Sequence, residues 1–230
     1  MRLVLFDIDG TLLLTGKVGQ TSAKAALERF FGAAGRVDEF YPTGRTIEGI
    51  FVDTLVDAGF SDEEYRAKRE ELYADFFAEF RARINRGDHE IKALPGTKEL
   101  VEGLSAREDI VLGLVTGNHQ LTAEVKLTMA GFDISVFKAG AYGHESAHRP
   151  HLVPLAQQRA AELTGQRVNG RETVVIGDTT RDIASAKAAG ALSIAVATGT
   201  NALDVLQAEA PDHIFTDLSD LQAVTTAILQ

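Results

Sequence analysis

Two aspartates stand one position apart near the start of the chain, directly after an apolar run: Asp7 and Asp9 in the stretch LFDIDGTL. In a strand, residues i and i+2 lie on the same face, so these carboxyl groups would be neighbours at the end of the strand. A further acidic residue, Asp178 in VVIGDTTRD, also follows an apolar run. Because adjacent carboxylates repel one another, the three together predict a site for a hard cation with oxygen ligands, and we expect Mg²⁺.

A metal at this place would allow one carboxylate to attack phosphorus, because the ion screens the charge of the substrate and polarises the phosphoryl oxygens. The neighbouring carboxylate could protonate the leaving oxygen and then activate a water molecule to cleave the aspartyl phosphate. Thr116, Gly117 and Asn118 follow another apolar run and precede a helical segment, where they could hold the phosphoryl oxygens. These residue types therefore predict phosphoryl chemistry, with a cation from the protein still to be identified.

The elements that must position these residues alternate between apolar and helical segments, which is typical of an α/β fold with a mainly parallel sheet. Ligands of such sheets bind outside the carboxyl ends of the strands, where the acidic stretches stand. We expect strands at 3–6, 110–115, 173–176, 193–197 and 213–216, and helices at 98–104, 121–130 and 181–189. If the first three strands are neighbours, the aspartates converge on one spot.

One region, residues 20–84, does not alternate but is helical throughout, and it follows directly after the first strand. Ser61 with Glu64 is a capping-box signature, and aromatic and aliphatic residues recur after it at helical spacing, at Tyr65, Leu72, Phe76 and Phe80. We predict a Rossmann-like core of residues 1–15 and 90–230, with helices on both faces of the sheet. An all-helical domain of residues 16–89, with its own aromatic core, is inserted into it.

The charge balance is acidic, with 33 acidic and 23 basic residues and a net charge of −10, which argues against general electrostatic binding of nucleic acid or an anionic membrane. The absence of cysteine excludes disulfides, thiolate metal sites and cysteine nucleophiles. No apolar run approaches the roughly 20 residues that a membrane span needs. We expect a cytoplasmic protein that binds a small phosphorylated metabolite and needs no obligate protein partner.

The stretches DIDGT, VTGN and GDTTRD, in this order and over nearly the whole chain, resemble the motifs of the haloacid dehalogenase superfamily of aspartate-nucleophile phosphatases. The helical insert resembles the cap of its phosphoglycolate-phosphatase and β-phosphoglucomutase-like branch. The resemblance implies that Asp7 is the nucleophile and a metal ligand, and that Asp9 is the general acid/base and binds metal through its carbonyl. It also implies that Thr116 binds phosphate, that Asp178 completes the metal site, and that Asp182 supports the metal's water shell or the basic residue.

The third motif of this family is a lysine, often followed by proline, and here the corresponding place reads SAHRP. Arg149 is therefore the expected cation, since arginine carries a permanent charge and can bridge a carboxylate and a phosphoryl oxygen. Lys138 and Lys126 are the alternatives. Lys126 falls within a predicted helix, where we expect a solvated surface charge.

Two further groups of residues have both a functional and an ordinary interpretation. Arg45, in the insert, could reach the site and hold an anionic substrate group, or be a surface arginine. The segment GHESAHRPH brings Glu145 close in sequence to three histidines, His144, His148 and His151, but its glycine and proline indicate a loop rather than a transition-metal site.

These expectations combine into Mg²⁺-dependent hydrolysis of a small phosphomonoester, of the phosphoglycolate or sugar phosphate type, through an aspartyl-phosphate intermediate. A dehalogenase and a phosphonatase are disfavoured, because the resemblance implies that both lack the second acid, Asp9. Two alternatives stay open: a phosphoglucomutase-like phosphotransferase, and a catalytically inactive binding or regulatory module with the same fold.

Overall fold

The computed structural model describes residues 1–41, 44–87 and 89–230. Its strands are β1 (Arg2–Phe6), β2 (Leu13–Leu14), β3 (Lys92–Ala93), β4 (Ile110–Thr116), β5 (Phe137–Tyr142), β6 (Thr173–Gly177), β7 (Leu192–Val196) and β8 (His213–Phe215). Its α-helices are α1 (Val18–Phe31), α2 (Val37–Phe40), α3 (Ile47–Asp57), α4 (Asp62–Arg86), α5 (Thr97–Ser105), α6 (Gln120–Met129), α7 (Leu152–Thr164), α8 (Thr180–Ala188), α9 (Leu203–Ala208) and α10 (Leu221–Ile228).

The central sheet has six strands in the order β5-β4-β1-β6-β7-β8, and each neighbouring pair is parallel. β1 lies between β4 and β6, and its last residue, Phe6, pairs with Leu114 on one side and Ile176 on the other. The strands are rich in Val, Ile and Leu because helices cover both faces of the sheet. The three carboxyl ends that carry the motifs therefore lie side by side.

The residues of β1 alternate between two hydrophobic clusters, as the two-residue period of a strand requires. Val4 and Phe6 belong to the cluster under α5, α6 and α10, whereas Leu3 and Leu5 belong to the cluster under α7 and α8. This arrangement confirms the predicted α/β class with helices on both faces. The five predicted strands begin and end within one residue of the observed bounds, but β2, β3 and β5 were not predicted.

The cap helices, α1–α4, surround a hydrophobic cluster of their own that contains Tyr65, Leu72 and Phe76. Helix α4 begins at the predicted capping box, in which Ser61 and Glu64 each accept a bond from the other's backbone N–H, and it ends at Gly87 in the left-handed conformation. The connecting segments form the short antiparallel ribbon of β2 and β3. The predicted domain boundaries at residues 15/16 and 89/90 stay a prediction.

The first turn of α3 contacts the sheet-bearing part of the chain through backbone groups. The N–H groups of Ile47 and Glu48 donate to the carbonyl oxygens of Gly117 and Gly143, at 2.8 and 3.1 Å. The first N–H groups of a helix have no partner within the helix, so these carbonyls satisfy them. The cap helices thereby lie over the carboxyl ends of the strands.

No helix in the described part of the chain is both long and apolar enough to cross a membrane. The cytoplasmic location stays a prediction.

Candidate active site

Three carboxylates meet at the carboxyl ends of β1 and β6. Asp7 directly follows β1, Asp178 directly follows β6, and Asp182 lies in the first turn of α8. One oxygen atom from each of the three lies within 4.8 Å of the others, and all three residues are buried. The structure thus brings the predicted metal-site residues Asp7 and Asp178 together, and it adds the carboxylate of Asp182, for which only a supporting role was predicted.

Local backbone geometry holds these aspartates in place. Gly10 has a φ of +82°, and a Cβ at this position would lie 2.4 Å from Asp178 Oδ2, so no other residue fits without displacing the carboxylate. Thr11 Oγ1 donates to Asp178 Oδ1 at 3.1 Å. Asp182 is held by a capping box, in which the backbone N–H of Thr179 donates to Asp182 Oδ2 at 3.0 Å. The motif residues around the aspartates therefore fix the carboxylates rather than merely flanking them.

Arg149 is the cation that faces this cluster. Its Nη2 lies 2.9 Å from Asp7 Oδ2 and 2.5 Å from Asp182 Oδ1, and the side chain is 4% exposed. Burial alone would lower the pKa of Arg149, but the charges of Asp182 and Asp7 outweigh it and raise the pKa. Lys138, by contrast, is exposed on β5. The structure therefore places the candidate from the SAHRP stretch, and not Lys138, beside the acidic cluster.

The buried charges around Asp7 do not balance. Three carboxylates face one guanidinium, which leaves an excess of two negative charges if all are ionised. Burial, opposed by the charge of Arg149, raises the pKa of Asp7 to about 6. Burial and the charges of Asp7 and Asp182 raise the pKa of Asp178 well above its usual range. An all-oxygen donor set with this excess fits a hard divalent cation such as Mg²⁺.

The side chain of Asp9 is not part of this group of three carboxylates, and it accepts hydrogen bonds from three other groups. Thr15 Oγ1 lies 2.6 Å from Oδ1, and Asn118 Nδ2 and Lys126 Nζ lie 2.7 and 2.6 Å from Oδ2. Burial alone would raise the pKa of Asp9, but the charge of Lys126 and these bonds outweigh it and lower the pKa. In this structure Asp9 is therefore held as a carboxylate.

The interpretation of Lys126 as a solvated surface charge is wrong. The residue is 3% exposed, and its ammonium group lies between Asp9 and Asn118 Oδ1, 2.7 Å from the latter. A signal for this was present in the helical spacing, because Ala123 and Ala130, three residues before and four residues after Lys126, belong to the core. Lysine on an apolar stripe of a helix is buried with a partner.

Thr116, the last residue of β4, is fully buried beneath the same site. Its Oγ1 accepts bonds from the backbone N–H of Asn118 at 3.3 Å and from Asn118 Nδ2 at 2.9 Å. Since both acceptor positions are used, the hydroxyl hydrogen is left to donate to a ligand. A Cβ at Gly117 would lie 2.1 Å from the carbonyl oxygen of Arg45, so the glycine permits the close approach of the cap segment.

These residues line one end of a cavity of about 500 Å³ between the cap helices and the sheet. Arg45 also lines the cavity, but its guanidinium is paired with Asp53 and lies over the ring of Phe40, 4.5 Å from the ring centroid. The predicted substrate-binding arginine therefore already has a carboxylate partner.

The histidines of the GHESAHRPH stretch are separated in space. His144 stacks on His119, with ring centroids 4.2 Å apart, whereas His148 and His151 face each other at 5.4 Å. Within residues 1–41, 44–87 and 89–230, the group of metal-binding side chains that meets is the aspartate cluster, and no histidine is part of it.

The chain is similar to known proteins over nearly its whole length. The family model described as haloacid dehalogenase-like hydrolase matches residues 4–196. The pyrophosphatase PpaX of Bacillus mycoides is 26% identical over 230 residues, which cover 98% of this chain and 97% of the relative. The phosphoglycolate phosphatase of Vibrio parahaemolyticus is 26% identical over 234 residues, which cover 97% of this chain and 96% of the relative.

A solved structure, that of a hydrolase from Pseudomonas syringae, superposes with a TM-score of 0.70 at 22% identity and covers 98% of both chains. At this identity the likeness shows the fold. The family match extends over far more than half of the chain and includes the stretches around Asp7, Thr116 and Asp178. The resemblance drawn from the motifs is thus confirmed, and this chain belongs to the haloacid dehalogenase-like hydrolases.

Proposed function

We propose that this hydrolase is a Mg²⁺-dependent phosphatase, which cleaves a small phosphomonoester through an aspartyl-phosphate intermediate on Asp7. The observation that carries the proposal is the excess of buried carboxylate beside a guanidinium and a free hydroxyl donor, at the carboxyl ends of β4, β1 and β6. The names of the two curated relatives, a pyrophosphatase and a phosphoglycolate phosphatase, support a substrate with a phosphoryl group.

Asp7 is the nucleophile in this proposal. Arg149 binds its Oδ2, which leaves Oδ1 to form the bond to phosphorus as the bond to the leaving oxygen breaks. The hydroxyl of Thr116 and the guanidinium of Arg149 donate to phosphoryl oxygens as negative charge develops on them. Asp7 and Asp178 would hold Mg²⁺, which would neutralise the excess charge of the cluster and polarise the phosphoryl group.

Asp9 handles protons together with Lys126. In the first step the leaving oxygen gains a proton from the Lys126 ammonium by way of Asp9, since Lys126 Nζ lies 2.6 Å from Asp9 Oδ2; Asp9 ends the step as a carboxylate and Lys126 as a neutral amine. In the second step the Asp9 carboxylate takes a proton from water as the water attacks phosphorus and the bond between phosphorus and Asp7 breaks, and this proton then passes to Lys126. The lowered pKa of Asp9 favours the carboxylate form that the second step needs.

The test compares Asp7→Asn with Asp109→Asn, a matched control at an exposed aspartate that pairs with Arg107. Phosphate release from an aryl phosphate with Mg²⁺ should be abolished by Asp7→Asn and unchanged by Asp109→Asn. Acid quench of the wild-type enzyme during turnover, followed by borohydride reduction, should convert residue 7 to homoserine, which peptide mass spectrometry detects. Turnover by Asp7→Asn, or reduction at another position, would refute the proposal.

Folding is checked separately. Burial, opposed only in part by the charge of Arg149, makes the charged form of Asp7 unfavourable, so the uncharged side chain of Asp7→Asn should not lower the thermal unfolding temperature in the presence of EDTA. Loss of activity with a retained unfolding transition therefore identifies a chemical role.

A further inference from the structure

The polarity of the residues that line the cavity changes with distance from the aspartates. One end carries Asp7, Asp178, Thr116 and Arg149, whereas the lining residues from α2 to α4 are mainly apolar and aromatic; Lys17, Gln20 and Arg45 also line the cavity from the cap segment. This apolar wall consists of Phe40, Tyr41, Ile47, Ile50, Phe76 and Phe80. Ile47, Ile50, Phe76 and Phe80 are only 0–3% exposed, so they form the packed base of the wall. Phe40 and Tyr41 are partly exposed and present more of its surface to the cavity.

The cations that line the cavity already have partners. Arg149 is paired with Asp7 and Asp182, Lys126 with Asp9, and Arg45 with Asp53. Lys17, the remaining lysine or arginine among the described lining residues, is exposed and stands before the first turn of α1. His119 is half-buried and uncharged at neutral pH, because burial and the charge of His144 lower its pKa to about 4.

An anionic group on the substrate, beyond the phosphoryl group, would therefore lose its hydration against hydrocarbon without meeting an unpaired buried cation. A hydrocarbon group would bury apolar surface there, at a gain of roughly fourfold in binding per methylene. The volume of about 500 Å³ lies in the range of pockets for small organic ligands.

We propose that the substrate is a phosphomonoester of an apolar alcohol, aliphatic or aromatic, whose hydrocarbon part lies against the apolar wall. This inference rests on the proposed phosphatase function and narrows its substrate class. It replaces the expected phosphoglycolate or sugar phosphate, both of which present charged or hydroxyl groups to this wall. The phosphoryl end is common to all these esters, so selection occurs at the cap.

The first experiment measures kcat/KM for methyl, ethyl, butyl and hexyl phosphate with Mg²⁺. We expect a rise of roughly fourfold per methylene that reaches the wall. Hexyl phosphate is then compared with its ω-carboxylate analogue of the same carbon number, and we expect at least a tenfold preference for the methyl terminus. Both leaving groups are primary alkoxides, so their intrinsic reactivity is closely matched.

The second experiment uses variants. Ile50→Thr replaces an apolar wall residue by a polar one and should lower the hexyl-to-methyl ratio of kcat/KM about fivefold. Leu163→Ala is the control, because Leu163 is 56% exposed on α7 and lies outside the cavity lining; it should leave the ratio unchanged. The hexyl-to-methyl ratio of kcat/KM depends only on the part of the site that contacts the alkyl chain. A general loss of stability lowers both values equally and therefore leaves the ratio unchanged.

The third measurement, calorimetric binding of hexyl phosphonate with Mg²⁺, does not need turnover. Tighter binding of hexyl than of methyl phosphonate, with a more negative heat-capacity change, supports the apolar wall as the contact. A flat alkyl series, or a preference for the carboxylate analogue, phosphoglycolate or pyrophosphate, would overturn the inference while leaving a phosphatase. Absence of phosphate release from every ester would instead overturn the proposed function, and the phosphonate binding would still decide the inference.

Discussion

Replacing Arg149 by methionine is expected to destabilise the metal-free protein strongly. Arg149→Met preserves an unbranched side chain of similar length but removes the guanidinium that binds Asp7 and Asp182. Removing one partner of a buried ion pair costs about 3–5 kcal/mol, because the other partner is left as an uncompensated charge. For a chain of this size, 1 kcal/mol corresponds to roughly 2–4 °C, so we expect the unfolding temperature to fall by about 6–20 °C.

The assay is thermal unfolding followed by circular dichroism at pH 7.5 in the presence of EDTA, with Lys138→Met as the control. The control removes the same charge from an exposed position on β5 and should move the transition by less than about 2 °C. A similarly small shift for Arg149→Met would refute the argument that this guanidinium compensates the buried carboxylates.

A second arm of the same assay examines acidification. At low pH the carboxylates of Asp7 and Asp178 take up protons, and their pKa values are already raised in the presence of Arg149. The uncompensated negative charge of the variant disappears as these groups are protonated. The difference in unfolding temperature between wild type and variant should therefore be smaller at pH 5 than at pH 7.5. A difference in unfolding temperature that grows on acidification would contradict the electrostatic explanation.

Three further predictions concern the metal, Lys126 and Thr116. The pKa of Asp7 is raised from 3.8 to about 6, so the folded metal-free protein binds this proton more tightly than the unfolded chain does, and its free energy of unfolding falls by up to about 3 kcal/mol as pH rises between these values. Mg²⁺ should therefore raise the unfolding temperature more at pH 7.5 than at pH 5. Equal increases in unfolding temperature at the two pH values would contradict this. Lys126→Met should lower kcat/KM for an aryl phosphate at least tenfold, since Asp9 loses its ion pair, whereas unchanged kinetics would show that Lys126 only packs. Thr116→Val, which removes a hydroxyl at nearly constant volume, should lower kcat about 10²-fold with a smaller change in KM in steady-state kinetics, and a loss confined to KM would assign Thr116 to ground-state binding.

Much of the site could be predicted because its signals are local. Each motif stands directly after an apolar run, and in a parallel sheet the carboxyl ends of neighbouring strands share one edge. The position of β1 between β4 and β6 then brings Asp7, Thr116 and Asp178 together. The helical insert was similarly visible from the capping box at Ser61 and the spacing of the aromatic residues in α4.

The features that were not predicted depend on contacts distant in sequence. Strand β5, with the sequence FKAGAY, contains small residues and a lysine, and it is a strand because it pairs with β4. The partner of Lys126, Asp9, is 117 positions away, so only the tertiary fold shows why a lysine occupies the buried face of α6. The resemblance implied that Asp182 supports the metal's water shell or the basic residue, but the bond of Asp182 to Arg149 joins two helical segments that no sequence pattern relates.

The docking of α3 on the carbonyl oxygen of Gly117 also sets the orientation of a peptide plane. The carbonyl of Gly117 and the N–H of Asn118 belong to the same rigid, planar peptide unit, so a bond to one side fixes the direction of the other. The Ile47 N–H holds the carbonyl side, and the amide side is thereby directed to Thr116 Oγ1. The position of α3 therefore helps to orient the hydroxyl group of Thr116. If α3 moved away, the peptide between Gly117 and Asn118 would be free to rotate, and the Asn118 N–H would no longer be directed to Thr116 Oγ1.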